Sequence, residues 1–512
     1  MSPGMGSNIA GIVLASAARH PARTALRLGD AETSYASLDA AAARVAGLLR
    51  ERGVGAGDRV AVMLPNLPQF AFAYYGALRL GAVVQPMNVL LKQREVSFLL
   101  RDSEAKVIFA FEGLHEHAAA GAAMAGAQHI LVAFDGFDAV LAQADPVTGV
   151  APRRGDDTAV LLYTSGTTGS PKGAELTHDN LRRNFEISAG LFDIGPDDVT
   201  LGVLPLFHSF GQTCGLNTAI SSGACLTLLP RFEPGQALEM LETHRVTICE
   251  GVPTMYAAMV DHPNVAGRDY ARLKVCISGG SAMPVAVLHA CEERFGCPLL
   301  EGYGLSETSP VASFNQPGLV RKLGSIGTPI EDVELRVVDE QDHDVAVGEV
   351  GEILIRGHNV MKGYWRQPEA SAHELRGGWM HTGDLARIDE DGYYFIVDRK
   401  KDMIIRGGLN VYPREVEEVL HEHPAVSEAA VVAVPHPLLG EDVGAAVVLK
   451  AGAQVSEREL RTFVRDQIAV FKHPRHLWFV SELPKGPTGK ILKRSIDVPD
   501  AIATPTRRSP AP

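Results

Sequence analysis

The apolar positions of this chain alternate between short unbroken runs and longer stripes with helical spacing. Arg59-Val-Ala-Val-Met-Leu64 is an apolar run closed by Pro65-Asn66, which predicts a strand. Ser37-Leu38 opens a helical stripe that continues through Leu48, Leu49 and Arg52 to a stop at Gly53. Phe70 to Leu80 is the next helix and Ala82-Val-Val-Gln-Pro86 the next strand. Further strands are expected at 105–109, 159–163, 246–249 and 273–277. Strands separated by helices of ten or more residues imply mostly parallel sheets with crossover helices.

The texture changes after about residue 325. Val333-Glu-Leu-Arg-Val-Val338, Gly351-Glu-Ile-Leu-Ile-Arg356 and Gly392-Tyr-Tyr-Phe-Ile-Val397 are short, partly alternating and separated by Gly- and Asp-rich turns. They predict an antiparallel, barrel-like section. From Asp398 the pattern becomes a small mixed domain. It has a helix beginning at Pro413 and strands at 429–433, 445–449 and 477–480. The capping box Ser456-Glu-Arg-Glu459 opens a second helix, expected to reach about Val470. The expected fold is α/β: a large N-terminal domain of two mostly parallel α/β subdomains plus the antiparallel section, then a small mobile α+β domain. The expected boundaries are 1–397, 398–495 and a flexible tail over 496–512.

Composition narrows the function classes. The 512 residues carry a net charge of −13 and no long basic block, which argues against non-specific nucleic-acid binding while allowing a local basic pocket. The six cysteines form no CxxC pair and sit in apolar surroundings, as buried free thiols do in a reducing compartment. The apolar stretch near the N-terminus is short and lacks a basic flank, and no run of 18 apolar residues is present. A soluble cytoplasmic protein is expected. The oligomeric state is not readable, with a homodimer as the default.

Chemistry enters at Thr164-Ser-Gly-Thr-Thr-Gly-Ser-Pro-Lys-Gly173, directly after the strand ending at Tyr163. Its glycines let backbone approach a ligand, its hydroxyls donate hydrogen bonds, and Lys172 supplies positive charge. The order is not G-x-x-x-x-G-K-[ST], so the common nucleotide loop is not claimed. Read alone, the segment is either a phosphate cradle or a polar surface loop. It resembles the signature loop of the adenylate-forming superfamily, which includes acyl-CoA synthetases, amino-acid adenylation domains and beetle luciferases. The resemblance extends over residues 10–494 and implies activation of a carboxylic acid by ATP with Mg²⁺, followed by transfer to coenzyme A.

Later segments carry the same resemblance. In Glu301-Gly-Tyr-Gly-Leu-Ser-Glu-Thr308 a tyrosine lies between glycines and a carboxylate beside a hydroxyl. Such a pair suits Mg²⁺ and a phosphate oxygen. The resemblance implies that Tyr303 stacks on adenine, Glu307 holds the metal and Thr308 contacts the α-phosphate. From the loop it implies nucleotide contacts by Thr164, Ser165, Gly166, Thr167, Thr168, Gly169 and Lys172. Asp384, in Trp379-Met-His-Thr-Gly-Asp384, matches a ribose-binding aspartate, since one carboxylate accepts from two vicinal hydroxyls. Gly280, in Ser278-Gly-Gly-Ser281, is either a turn glycine or part of a ligand-lining loop. His208, in Leu204-Pro-Leu-Phe-His-Ser-Phe-Gly211, is either a core histidine or an orienter of the substrate carboxylate.

The segment Asp398 to Pro413 resembles the hinge of that superfamily. Asp398 is then the pivot, Ile396 packs near adenosine, Arg399 reaches ribose or phosphate, and Gly407 and Gly408 border a pantetheine channel. Lys490, in Pro484-Lys-Gly-Pro-Thr-Gly-Lys490, matches the catalytic lysine of the first half-reaction. The motifs resemble medium- to long-chain fatty acyl-CoA ligases first and hydroxycinnamate or aryl-CoA ligases next. A ligase that loads an acyl carrier protein is a further alternative.

Overall fold

The apolar runs pair side by side and the helical stripes cross over between them. The structure, a computed structural model, describes residues 7–133, 136–164, 171–486, 488–499 and 502. The first sheet has seven strands. Parallel Gln128–Val132, Ala105–Phe111, Arg59–Met63, Val83–Pro86 and Thr158–Thr164 continue into antiparallel Lys172–Thr177 and Gly363–Tyr364. The second has nine, with Leu299–Gly304, Val275–Ser278, Ile248–Gly251, Val199–Gly202, Cys225–Leu228 and Thr24–Leu28 in parallel and antiparallel strands at both edges. Helices Tyr35–Glu51 and Pro68–Arg79 share a core with residues of both sheets, among them Leu26, Val62 and Leu226. The first of these helices begins earlier than the sequence suggested, because the Ser34 hydroxyl accepts from the Ser37 N–H at 3.1 Å and caps it.

The expected antiparallel section is a four-stranded sheet of Val333–Val338, Gly351–Gly357, Met380–Ile388 and Tyr394–Arg399 in chain order. The excursion between its second and third strands returns to the first sheet, where Gly363–Tyr364 adds to the edge at Lys172–Thr177. That detour brings Tyr364 to the end of the strand carrying Thr164.

The C-terminal residues build a separate sheet. Val426–His436 and Gly440–Leu449 form a long hairpin, with Ile404–Arg406 and the parallel His476–Phe479 on its other side. Helices Pro413–Glu422 and Glu457–Arg465 cover one face through Val416, Leu420, Leu460 and Val464. The second helix starts at the expected capping box but ends at Arg465 rather than near Val470, and Ile468 and Phe471 beyond it pack on the same core. The beginning of the expected loose tail is also ordered against protein. Ile496, Val498 and Ile502 cover Ala430, Ala446 and Trp478 on the other face of the sheet, an apolar surface that would otherwise meet water.

The fold sets the site by a simple rule. Thr164, Gly251, Ser278 and Gly304 end parallel strands, and ligands of open α/β sheets bind in the crevice beyond those carboxyl ends.

Candidate active site

At the end of its strand Thr164 donates from Oγ1 to Glu307 Oε1 at 2.9 Å, and Tyr364 OH donates to the same oxygen at 3.2 Å. Lys172 is buried, with Nζ 4.9 Å from the centre of the Tyr364 ring. Ser165, Gly166, Thr167, Thr168 and Gly169 lie outside the described residues. Glu307 and Thr308 belong to a short turn, Ser306–Thr308, after the strand Leu299–Gly304. The Thr308 hydroxyl is fully buried and committed to main chain, accepting from Leu305 N–H at 2.8 Å and donating to Pro310 O at 2.6 Å. In this arrangement it braces the turn that aims Glu307. Glu307 Oε2 has no hydrogen-bond partner among the described residues, leaving one carboxylate oxygen to bind a cation. Mg²⁺ commonly takes one or two carboxylates plus water and substrate phosphates, so Glu307 fits as one ligand.

Glycine at 304 has a packing cause. A Cβ there would stand 1.7 Å from Pro310 O, so the strand closes against its neighbour only without a side chain. Tyr303 is thereby held with its hydroxyl donating to Asp384 Oδ2 at 2.7 Å. Asp384 pairs across the antiparallel sheet with Arg399, whose Nε lies 3.3 Å from Oδ1. Burial raises the Asp384 carboxyl above its ordinary range, and Arg399 and the Tyr303 hydroxyl oppose that rise. Glu352 accepts from the Gly383 N–H at 3.0 Å beside Asp384, and the half-buried Glu374 feels the charges of Lys172, Glu307 and Glu352. Tyr303 and Glu307 lie four residues apart on one strand and its following turn, so the Thr164–Glu307 end and the Tyr303–Asp384 end lie along one cleft.

Lys490 enters the same cleft from the C-terminal sheet. Its hairpin is tight, with Gly486 N–H donating to Lys490 O at 2.7 Å and Gly489 N–H to Gly486 O at 2.9 Å. Thr254, on helix Pro253–Val260 of the large domain, donates from Oγ1 to Gly489 O at 2.9 Å and docks the hairpin. Gly489 has φ +79°, and a Cβ there would come within 3.0 Å of Thr254 Oγ1 and 3.1 Å of Val252 Cγ2. Desolvation first and the Arg399 charge second push the Lys490 ammonium down to about 8, with Asp384 and Asp402 opposing. His208 is pushed down to about 4 by burial and by the Lys490 charge. The His208 Nδ1 faces the Phe210 N–H at 3.3 Å, which assigns the proton of the neutral ring to Nε2.

The remaining expected residues are distributed as follows. Ile396 is half-buried near Tyr303 in the core behind the cleft. Asp398 is buried, accepting from Arg399 N–H at 2.7 Å and from Arg414 N–H at 2.9 Å at the start of helix Pro413–Glu422. Gly280 is exposed at the mouth with φ +80°. Gly407 and Gly408 do not join the cleft. They are the exposed two-residue turn of the hairpin Ile404–Arg406 to Leu409–Val411, both at positive φ, as that turn requires. Sequence reasoning missed Tyr364 and Thr254. Neither stands in a motif with chemical content, and each acts through a partner distant in the chain. Among the described residues no helix is long and apolar enough to cross a membrane.

Comparison with known proteins matches this arrangement. The family described as AMP-binding enzyme covers residues 13–365 and its C-terminal domain covers 415–490. A long-chain-fatty-acid–CoA ligase of Bacillus subtilis (strain 168) is 39% identical, covering 95% of this chain and 93% of that one. A feruloyl-CoA synthase of an Amycolatopsis species is 40% identical over 93% of this chain and 96% of its own. The structure of the anthranilate CoA ligase AuaEII with anthranoyl-AMP superimposes with a TM-score of 0.91 at 30% identity, over 96% of each chain. Cleft, fold and relatives agree: the chain belongs to the adenylate-forming superfamily of AMP-binding enzymes, and it is an AMP-forming ligase that makes an acyl-adenylate from ATP and passes the acyl group to coenzyme A.

Proposed function

We propose that the acid is an aryl or hydroxycinnamate-type acid rather than a long-chain fatty acid. The supporting observation is a cavity that includes Phe210, two residues from His208. It is walled by Phe192, Phe210 and Phe314 with Leu191, Ile194 and Ile277. Aromatic walls favour stacked or edge contacts with a flat ring over contacts with a long flexible chain. The feruloyl and anthranilate relatives lend weight to this reading, while the Bacillus relative keeps the fatty-acid reading in play.

The proposed division of labour follows from charge. Attack of a carboxylate oxygen on the α-phosphorus brings two anions together, and the bond to pyrophosphate breaks as the new P–O bond forms. Lys490 neutralises that approach and Lys172 the departing pyrophosphate, in a cleft where water is partly excluded. The His208 Nε2–H donates to the acid and orients it. Asp384 accepts from the ribose hydroxyls, with Tyr303 and Arg399 fixing its orientation. Mg²⁺, held through Glu307, supplies charge neutralisation at the phosphates. In the second step the thiol sulfur of coenzyme A bonds to the acyl carbon as the bond from that carbon to the AMP phosphate oxygen breaks; AMP leaves as the anion and the thiol proton passes to solvent. Lys490 would crowd that nucleophile, so residues 398–495 rotate on 1–397 about Asp398 and exchange the Lys490 hairpin for the Gly407–Gly408 turn.

A panel of acids from acetate to stearate, with benzoate and cinnamate, assayed for AMP release with and without coenzyme A, tests the reading. Highest kcat/KM with an aryl or arylpropenoic acid is expected. A saturated long-chain acid as the best substrate refutes the aryl assignment.

A further inference from the structure

Glu250 takes no part in the steps above. It lies two residues after Ile248 on the strand Ile248–Gly251, so both side chains project from one sheet face, toward Cys214, Ile277, Val311 and Phe314. It is 3% exposed. Its carboxyl has no hydrogen bond or ion pair among the described residues, and burial is the sole influence on its titration, raising it to about 8. Buried polar groups are almost always hydrogen-bonded, so a buried carboxyl without a protein partner points to one supplied from outside.

The surroundings show where that partner would sit. Glu250 and Phe210 line the same cavity. The wall between them is the π-helix Phe210–Asn217, a distortion that recurs at functional sites. Gly215 in that helix leaves room beside the carboxyl, since a Cβ there would stand 3.3 Å from Glu250 Oε2. The other hydroxyls lining the cavity are committed: Thr218 Oγ1 donates to Thr213 O and Ser188 Oγ to Asn184 O, both at 2.9 Å. Phe210 is two residues from His208, which feels the charge of Lys490. The cavity thus has one wall next in the chain to the reacting end and an uncommitted carboxyl in its lining.

We propose that Glu250 is a specificity-determining residue that hydrogen-bonds a hydroxyl at the far end of the acid substrate, a para-hydroxylated aryl acid. This rests on the aryl reading of the cavity and adds to it a substituent. A neutral carboxyl donates one hydrogen bond and accepts another, and a phenol does the same, so the two groups satisfy each other. An acid lacking the hydroxyl leaves the carboxyl unpaired, which is the arrangement by which a site rejects an analogue most strongly.

The test compares kcat/KM for cinnamate and para-hydroxycinnamate, and for decanoate and ω-hydroxydecanoate, with the wild-type chain, Glu250→Gln and Glu250→Leu. Pyrophosphate release without coenzyme A is the readout, at pH 7. Wild type should prefer the hydroxylated aryl acid. Glu250→Leu should lower kcat/KM for the hydroxylated acid about tenfold or more while sparing the plain acid. Glu250→Gln, which still donates and accepts, should keep most of the preference. Parallel loss on both acids, or an unchanged ratio in Glu250→Leu, means that Glu250 is structural and overturns the proposal. Should Glu250→Leu fail to fold, a wild-type chain with no preference for the hydroxylated aryl acid overturns it as well. Activation of the aliphatic pair alone, with the hydroxyl preference intact, sinks the aryl reading and leaves the role of Glu250 standing.

Discussion

Lys490 provides a prediction whose size follows from its surroundings. Burial and the Arg399 charge bring its ammonium from the ordinary 10.5 to about 8 in the substrate-free cleft. That shift corresponds to roughly 3 kcal/mol of disfavoured charge, which the phosphates and carboxylate remove when they bind. The charged form is the useful one. It is present below the shifted value and is lost as pH rises through about 8. The profile of kcat/KM reports free enzyme and should fall above that point, whereas kcat reports the complex, in which bound anions restore the lysine toward its ordinary range. At pH 9.5 kcat/KM for adenylation should be down roughly thirtyfold while kcat has barely changed. The assay is pyrophosphate release without coenzyme A, using an acid with no hydroxyl in the Glu250→Gln background so that only Lys490 titrates. Lys490→Arg keeps its charge throughout and should abolish the break at some cost in rate. A flat kcat/KM profile to pH 9.5, or the same break in the arginine variant, refutes the reasoning.

Other outcomes follow from single contacts. Thr254→Val removes the hydroxyl that docks the Lys490 hairpin and should slow adenylation about two- to tenfold while sparing thioester formation from supplied acyl-AMP; equal slowing of both steps counts against it. Gly408→Leu meets open space but strains the turn at φ +84°; lying outside the cleft in the present arrangement, it should largely spare adenylation but impair thioester formation, measured as coenzyme A consumption with acyl-AMP. Unchanged thioester formation would remove Gly408 from the channel. Gly304→Ala drives a Cβ into the Pro310 carbonyl and should lower stability by about 2 kcal/mol or more, read as a drop in Cm at constant m.

Much of the architecture was written in local patterns. A parallel strand buried on both faces is a continuous apolar run whatever it pairs with, so Arg59–Met63 and Val275–Ser278 were legible without their neighbours. The Ser456 capping box announced its helix for the same reason, because a cap is satisfied within a few residues. Glu307, Asp384 and Lys490 were singled out by motif resemblance, and the fold gathers them with Thr164 into one cleft. The end of helix Glu457–Arg465 and the packing of Ile496 and Val498 were not legible, since both depend on an apolar face assembled from other strands.

What the chain determines alone is therefore which residues prefer burial, where elements start, and which side chains carry charge. Only the tertiary structure decided what those charges meet. Thr254 finds Gly489 across 235 residues, and Tyr364 reaches Glu307 because a two-residue edge strand returns to the first sheet. Glu250 stands just past the strand expected at 246–249 and no pattern singled it out; its meaning came from a cavity whose other lining comes from four separate segments. Periodicity records the environment of a residue averaged over a face. A hydrogen bond, a docking contact or an empty place beside a carboxyl depends on positions fixed to fractions of an ångström by packing between distant parts of the chain.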